Sequence, residues 1–235
     1  MRLIGFGFCI MALVLIDGVA PAATGNGAGP VALLKRTASD AEAADAQLNK
    51  IYKMLMGVLD TEEQGRLVVA ERDWIAYRDA QCALESAYAN RGRDRTVNFA
   101  DCLARMTRQR TESLANQPFY PIPGVSKGYL SSTAPADNRS WIQMKQDIAD
   151  DCVRADSELE KLCQQLAATL NQDEQRLLDA SQTAWTKFRQ DEADFEAMYT
   201  GFGSDFHMNW PGAWLRITET RTAEIQALLA QRAGK

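Results

Sequence analysis

Histidine is nearly absent from this sequence, since His207 is the only one among 235 residues. A single histidine cannot build a histidine-rich zinc site, and no carboxylate–histidine spacing around it indicates a set of metal ligands. The sequence also lacks a Gly-rich phosphate loop and the nucleophile motifs of hydrolases. These absences predict a protein that is not an enzyme and that uses neither a metal nor another cofactor.

Valine and isoleucine are sparse, which argues against a large β-sheet. The 15 glycines and seven prolines cluster mainly at the N-terminus and in the middle of the chain. The long blocks between them are rich in Ala, Leu, Gln, Glu, Asp and Arg, which is typical of helices. The predicted fold class is therefore all-α.

The first 22 residues have the pattern of a secretory signal peptide. Arg2 supplies a positive charge, residues 3–16 form an apolar run, and small residues surround a cleavage point near Ala22. The run is too short to span a bilayer core of about 30 Å. The alternative interpretation is a membrane anchor. We expect cleavage, a periplasmic or secreted location, and no stable membrane insertion afterwards.

The stretch around Trp74 organises the rest of the chain. Trp74, Arg78 and Cys82 are each four residues apart, so they share one buried-looking stripe of a predicted helix. The stretch 74–78 recurs as 185–189, which is 111 positions later. Further identities at the same offset of 111 need no gap, and they pair Asp45 with Asp156, Leu55 with Leu166, Arg78 with Arg189, Glu85 with Glu196, Arg105 with Arg216 and Arg110 with Arg221.

This internal repeat predicts two tandem, antiparallel three-helix units. The first spans residues 31–117, a Pro-rich linker spans 118–137, and the second spans 138–235. Predicted helices cover about 32–59, 61–90, 98–116, 138–170, 172–199 and 211–232. Thr61 with Gln64, and Asn171 with Glu174, have the spacing of capping boxes, and Pro211 suits the first turn of the last helix.

After signal cleavage four cysteines remain. Cys82 and Cys102 flank the loop between the second and third helices, where antiparallel packing would bring them together as a disulfide. Both are alanine in the second unit, as expected for a bonded pair. Cys152 and Cys163 are eleven residues apart, or about 16 Å along one helix, so they cannot bond each other there. They are either free thiols or partners for another chain.

A known family shares several of these motifs in the same order. Asp45, the run 48–52, Trp74, Tyr77, Arg78 and Cys82 are followed by Cys102, Thr107 and Arg110. The set resembles the domain of LprI-like lysozyme inhibitors, found in secreted and periplasmic bacterial proteins. The first unit matches from about residue 38 to 114, and the second is degenerate because Phe188 replaces the tyrosine and both cysteines are lost. The resemblance implies an all-helical fold and inhibition of lysozyme.

Two interpretations remain open for the polar residues of this motif. Asp45 and Arg78 could form a site, or they could make structural contacts with Arg110 or Tyr77 inside the bundle. We favour the structural role for Asp45, Trp74, Tyr77, Arg78 and Arg110.

The protein partner predicted from charge is cationic. Residues 31–117 carry 13 basic and 13 acidic side chains, whereas 137–235 carry 11 basic and 17 acidic ones, and the whole chain has a net charge of −5. Nucleic acid and anionic membranes are therefore disfavoured as partners. Common lysozymes are basic, which is compatible with the resemblance. The alternative function is a non-enzymatic periplasmic structural or interaction module without a lysozyme target.

If the protein inhibits lysozyme, its interhelical loops are candidate contact sites. A lysozyme-type glycosidase uses two carboxyl groups in an open cleft, and arginine pairs bidentately with carboxylate. Arg91, Arg93 and Arg95 in the loop 91–97 would enter that cleft. The second unit would steer the encounter through Asp191, Glu192, Asp194 and Asp205, the last of these in the loop 200–210. The alternative is that both loops are solvated turns.

Overall fold

The structure, a computed structural model, describes residues 29–88, 95–117, 122, 124, 140–198 and 206–233. These residues form six helices and no strand, which confirms the all-α prediction. The helices are α1 (Pro30–Met56), α2 (Thr61–Tyr88), α3 (Arg95–Ala115), α4 (Trp141–Ala167), α5 (Gln172–Met198) and α6 (Phe206–Ala233). The predicted signal peptide and nearly all of the predicted linker lie outside the described residues.

A capping box begins the second helix of each unit, although in the first unit it lies one residue before the predicted position. The Asp60 carboxylate accepts hydrogen bonds from the amides of Glu62 and Glu63, and Glu63 accepts one from the amide of Asp60. The predicted pair Thr61 and Gln64 is therefore wrong, because the Gln64 side chain instead donates to the last carbonyls of α1 and its turn. In the second unit Asn171 and Glu174 form the predicted box.

The last helix begins five residues before the predicted start at Pro211. Pro211 lies inside α6, where it removes a single backbone donor near the helix start and the helix continues across it. The Trp210 and Trp214 rings stack with centroids 4.7 Å apart, and their packing stabilises this first part of α6. Residues 206–210 are therefore helical, although the sequence predicted a loop there.

The six helices pack in the spatial order α1, α3, α2, α5, α6, α4. Within each unit the third helix packs between the other two, and α2 and α5 join the units. The two joining helices run antiparallel, since Arg66 near the start of α2 pairs with Asp194 near the end of α5 at 3.8 Å. Leu55, Leu67 and Leu114, and their counterparts in the second unit, fill one core. None of the described helices has the length and apolar character needed to cross a membrane.

Candidate functional site

Arg78 holds the three helices of the first unit together. Its guanidinium lies 3.2 Å from the Asp45 carboxylate on α1 and 3.3 Å from the Thr107 hydroxyl on α3, and 5.2 Å from the centroid of Trp74. Burial raises the pKa of Asp45, and Arg78 opposes the rise. Arg78 is 6% exposed, so this cluster is a structural brace and not an open site.

The second unit repeats this brace with an added aromatic ring. Arg189 donates to Asp156 and Thr218, which are the counterparts of Asp45 and Thr107. Its guanidinium lies 4.4 Å from the centroid of Trp185 and 3.6 Å from that of Trp214. The first unit has Leu103 at the position of Trp214, so this sandwich is specific to the second unit.

The corner between the second and third helices is held differently in the two units. Cys82 and Cys102 form a disulfide in the first unit. In the second unit the Trp210 indole donates to Asp194 at 2.9 Å and stacks on Trp214. Cys152 and Cys163 are half-buried free thiols within the described chain, and burial raises the pKa of each.

Arg110 crosses the interface between the two units. It donates to Glu71 of its own unit and, through both terminal nitrogens, to Glu192 of the second unit at 2.6 and 2.8 Å. All three residues are buried. Burial alone would lower the pKa of Arg110, but Glu192 and Glu71 outweigh it and keep the pKa above its ordinary value. Removing one partner of such a buried pair costs about 3–5 kcal/mol.

Arg221 makes the reciprocal contacts from the second unit. It donates to Gln182 of its own unit and to Gln81 of the first unit, at 2.6 and 2.7 Å. Gln182 and Gln81 are the counterparts of Glu71 and Glu192 at the offset of 111. An interface in which equivalent residues exchange the same contacts has two-fold symmetry. The two units are therefore related by a pseudo-two-fold axis, and the carboxylates of Glu71 and Glu192 on one side correspond to the amides of Gln182 and Gln81 on the other.

A carboxyl pair lies on the same interface, nearer its edge. Asp73 on α2 contacts Arg72 at 2.9 Å and Lys187 of α5 at 3.5 Å, and it shares a hydrogen bond with Asp191. The hydrogen bond from Arg72 lowers the pKa of Asp73 to about 2. Burial, together with Asp73, raises the pKa of Asp191 to about 6. The pair therefore shares one proton at mildly acidic pH.

The structure separates the acidic residues that the sequence grouped as one partner-binding surface. Glu192 is 1% exposed and bonded to Arg110, so it is not accessible to a partner as the sequence predicted. Asp191 and Asp194 are half-buried and line an open depression across the units together with Glu62 and Arg66. Asp205 lies outside the described residues.

The two predicted contact loops follow opposite ends of the α2–α5 layer. Arg95 is the first residue of α3 and lines a depression with Asp173 and Glu174 at the start of α5. Asp194 lies near the other end of α5, about 30 Å away at 1.5 Å per residue. Arg91 and Arg93 lie outside the described residues. A partner that contacts Arg95 and Asp194 together would have to extend along most of α5.

Sequence reasoning missed the polar residues that join the units. Glu71, Gln81 and Ser181 are buried there, and the Ser181 hydroxyl donates to Gln81 at 2.7 Å. A signal was present, because the offset that matched Arg110 with Arg221 also matches Gln81 with Glu192. Within the described chain no group of three or more potential ligands is arranged to hold a metal ion.

Comparisons with known proteins assign the chain to a family. The family model described as lysozyme inhibitor LprI matches residues 24–114 and 132–225. The chain belongs to the LprI family. The two matched regions correspond to the two copies identified from the sequence. This LprI family is one of inhibitors and not of enzymes, in agreement with the prediction that the chain is not an enzyme.

Two further proteins are similar to this LprI chain. An uncharacterized protein of Rhizobium meliloti (strain 1021) is 38% identical over 88 residues, which cover 32% of this chain and 63% of that relative. The crystal structure of an uncharacterized protein from Burkholderia thailandensis matches with a TM-score of 0.56 at 16% identity, and the match covers 88% of this chain and 90% of the other. The second match shows a shared fold that extends over both units.

Proposed function

We propose that this protein is a secreted or periplasmic inhibitor that binds a lysozyme-type muramidase and blocks its cleft. The observation that carries the proposal is the match of the LprI inhibitor family to both units. The acidic second half supports a basic partner, because opposite charge speeds encounter. The buried interface supports it as well, since a rigid pair of units loses little conformational entropy on binding.

The proposed inhibition uses occlusion and no chemistry. An open cleft with two catalytic carboxyl groups is blocked by any well-fitting surface that excludes the polysaccharide. Arg91, Arg93 and Arg95 remain candidates for contact with those carboxyl groups, and Arg95 is the first residue of α3. Asp191, Asp194 and Asp205 remain candidates for steering.

A lysis assay tests the inhibitory function directly. Purified mature protein is added in increasing amounts to hen egg-white lysozyme acting on a suspension of bacterial cell walls, and the loss of turbidity is followed. The rate should fall to near zero at a stoichiometric excess. Arg91, Arg93 and Arg95 changed together to alanine should raise the inhibition constant with little effect on its salt dependence. An unchanged lysis rate at saturating protein would contradict the function for this lysozyme class.

A non-enzymatic envelope interaction module is the second candidate function, because the geometry of a two-unit scaffold serves it equally well. Location is tested separately by cell fractionation and N-terminal sequencing. We expect a mature chain that begins after residue 22 in the extracytoplasmic fraction. Recovery of the intact chain in washed membranes would instead indicate an anchor.

A further inference from the structure

Each unit has a groove between its first and third helices, at equivalent positions. In the first unit the groove has a volume of about 540 Å³ and lies between α1 and α3. In the second it has a volume of about 240 Å³ and lies between α4 and α6. Asp40, Ala44 and Thr111 of the first groove correspond to Asp151, Ala155 and Thr222 of the second.

The two grooves differ in charge at specific positions. Gln47 of the first groove is replaced by Glu158 in the second, and Arg108 is replaced by Glu219. Arg154 replaces Ala43 and pairs with Asp151, which explains the smaller volume of the second groove. The second groove therefore has three carboxylates and one guanidinium.

The carboxylates of the second groove are available to a partner. Glu158 and Glu219 are exposed, and neither has an ion-pair partner among the residues that the structure describes. Glu158 lies on α4, which carries six acidic and three basic residues, and Glu219 lies on α6. The corresponding helix α1 of the first unit carries three acidic and four basic residues. The outer helix of the second unit is thus acidic, whereas that of the first unit is nearly neutral.

We infer that the α4–α6 groove, with Glu158 and Glu219 on its two walls, is the docking surface for a cationic face of the protein partner. This inference rests on the proposed function, in which the partner is a basic muramidase. The groove is a further acidic surface of the second unit, in addition to Asp191 and Asp194, which remain candidates for steering. Its floor of Ala155 and Ala223 lets a lysine or arginine side chain approach both carboxylates.

Charge favours a cationic protein over a second copy of this chain as the partner at this groove. A second copy would present the α1–α3 groove, where Arg108 is accompanied by the carboxylates of Asp40 and Glu112, so the lining of that groove carries a net negative charge as well. Like charges that meet across an interface cost binding free energy. A basic surface without such carboxylates makes only favourable pairs.

Two double variants with the same change of net charge test the surface. Glu158→Gln with Glu219→Gln neutralises the groove, and Glu160→Gln with Asp179→Asn neutralises two exposed carboxylates elsewhere on the second unit. Binding to hen egg-white lysozyme is measured by titration calorimetry at low and physiological salt, beside inhibition of lysis. The groove variant should raise Kd about tenfold, and the matched control should change it less than twofold. Circular dichroism checks that both variants keep the fold.

The outcomes distinguish a failure of the docking surface from a failure of the proposed function. If the wild type neither binds nor inhibits lysozyme, both the proposed function and the docking surface are overturned. If the wild type inhibits and both variants weaken binding equally, the effect is one of overall charge and the groove is not the docking surface. Sedimentation of the protein alone provides one more test, because a wild-type dimer that the groove variant dissociates would show that a second copy occupies the groove.

Discussion

Tyr77 of the first unit stacks on Phe188 of the second, with ring centroids 5.9 Å apart and ring planes inclined by 7°. The two residues are counterparts at the offset of 111, so the pseudo-two-fold axis passes between their rings. Arg110 lies 5.3 Å from the Phe188 centroid, and Arg221 lies 5.3 Å from that of Tyr77. The centre of the interface therefore combines apolar stacking with two buried cations, and each cation has different acceptors.

Replacing Arg110 should destabilise the protein in a pH-dependent way. Arg110→Leu leaves Glu71 and Glu192 buried without their cation, at a cost of about 3–5 kcal/mol near pH 7. Burial already raises the pKa of Glu71, and loss of the arginine raises it further. The deficit should shrink as the pH falls from 7 towards 5, because the Glu71 carboxyl group, whose pKa is raised, becomes neutral. Urea denaturation at several pH values measures it.

Arg221→Leu is the matched control for this prediction. Across the interface and within its own unit Arg221 donates to the uncharged side chains of Gln81, Gln182 and Ser181, and its one carboxylate partner is the partly exposed Glu224 on its own helix. Its loss should also destabilise the protein, but the deficit should change little between pH 7 and 5. Identical pH profiles for the two variants would show that the charge of Glu71 and Glu192 is not the cause.

The disulfide should stabilise only the first unit. Cys82 and Cys102 are 20 residues apart, and closing such a loop contributes about 3 kcal/mol in the chain-entropy model. Replacing both with alanine, the residues at positions 193 and 213, should lower the melting temperature of the oxidised protein. Reductant should then leave the melting temperature of this double variant unchanged. Peptide mapping without reductant should find the cross-link, and two free thiols at these positions would refute it.

Asp191 should make stability depend on pH between about 4 and 6. Its pKa in the folded protein is raised to about 6, so its stabilising contribution is complete below its unfolded value near 4 and is lost as pH rises through 6. Asp73, whose pKa is lowered to about 2, stabilises the fold above pH 4, and this contribution is lost only as the pH falls below 4. In the Asp191→Asn variant the melting temperature should therefore change less between pH 4.5 and 7.5 than it does in the wild type.

The two aromatic rings beside Arg189 should contribute more to the free energy of unfolding than the single Trp74 ring beside Arg78 does. Trp214→Leu places the residue of the first unit, Leu103, into the second unit. We expect a loss of about 1–3 kcal/mol, from cation–π attraction and buried area. Leu215→Ala on the next position of α6 is a control for general helix packing. An equal loss in both variants would assign no special role to the sandwich.

The sequence was sufficient for the fold class, the repeat and the buried stripe, because these depend on local periodicity. Trp74, Arg78 and Cys82 are all buried as their four-residue spacing predicted. Helix starts were less accurate, since a capping residue is chosen by competition between neighbouring polar groups. Asp60 caps the second helix in place of the predicted Thr61, because the Asp60 carboxylate accepts hydrogen bonds from two backbone amides at 2.8 and 2.9 Å.

The packing of one unit on the other could not be predicted in the same way. A repeat shows that two units exist, but it does not show which faces meet. Glu192 lies in an acidic run that is typical of a solvated helix face, and only a cation from another element explains its burial. That cation, Arg110, is 82 residues earlier in the chain. Such a long-range pair can be identified only once the fold is known, because the Arg110 side chain on α3 reaches Glu192 on α5.

The exchange of hydrogen bonds between the units means that neither half is complete without the other. Glu192 of the second half is bonded to Arg110 of the first, and Arg221 of the second half is bonded to Gln81 of the first. A chain reduced to one half would expose an arginine or its acceptors that are buried in the intact protein. The repeated unit is therefore duplicated in sequence, but the folded molecule is a single cooperative structure.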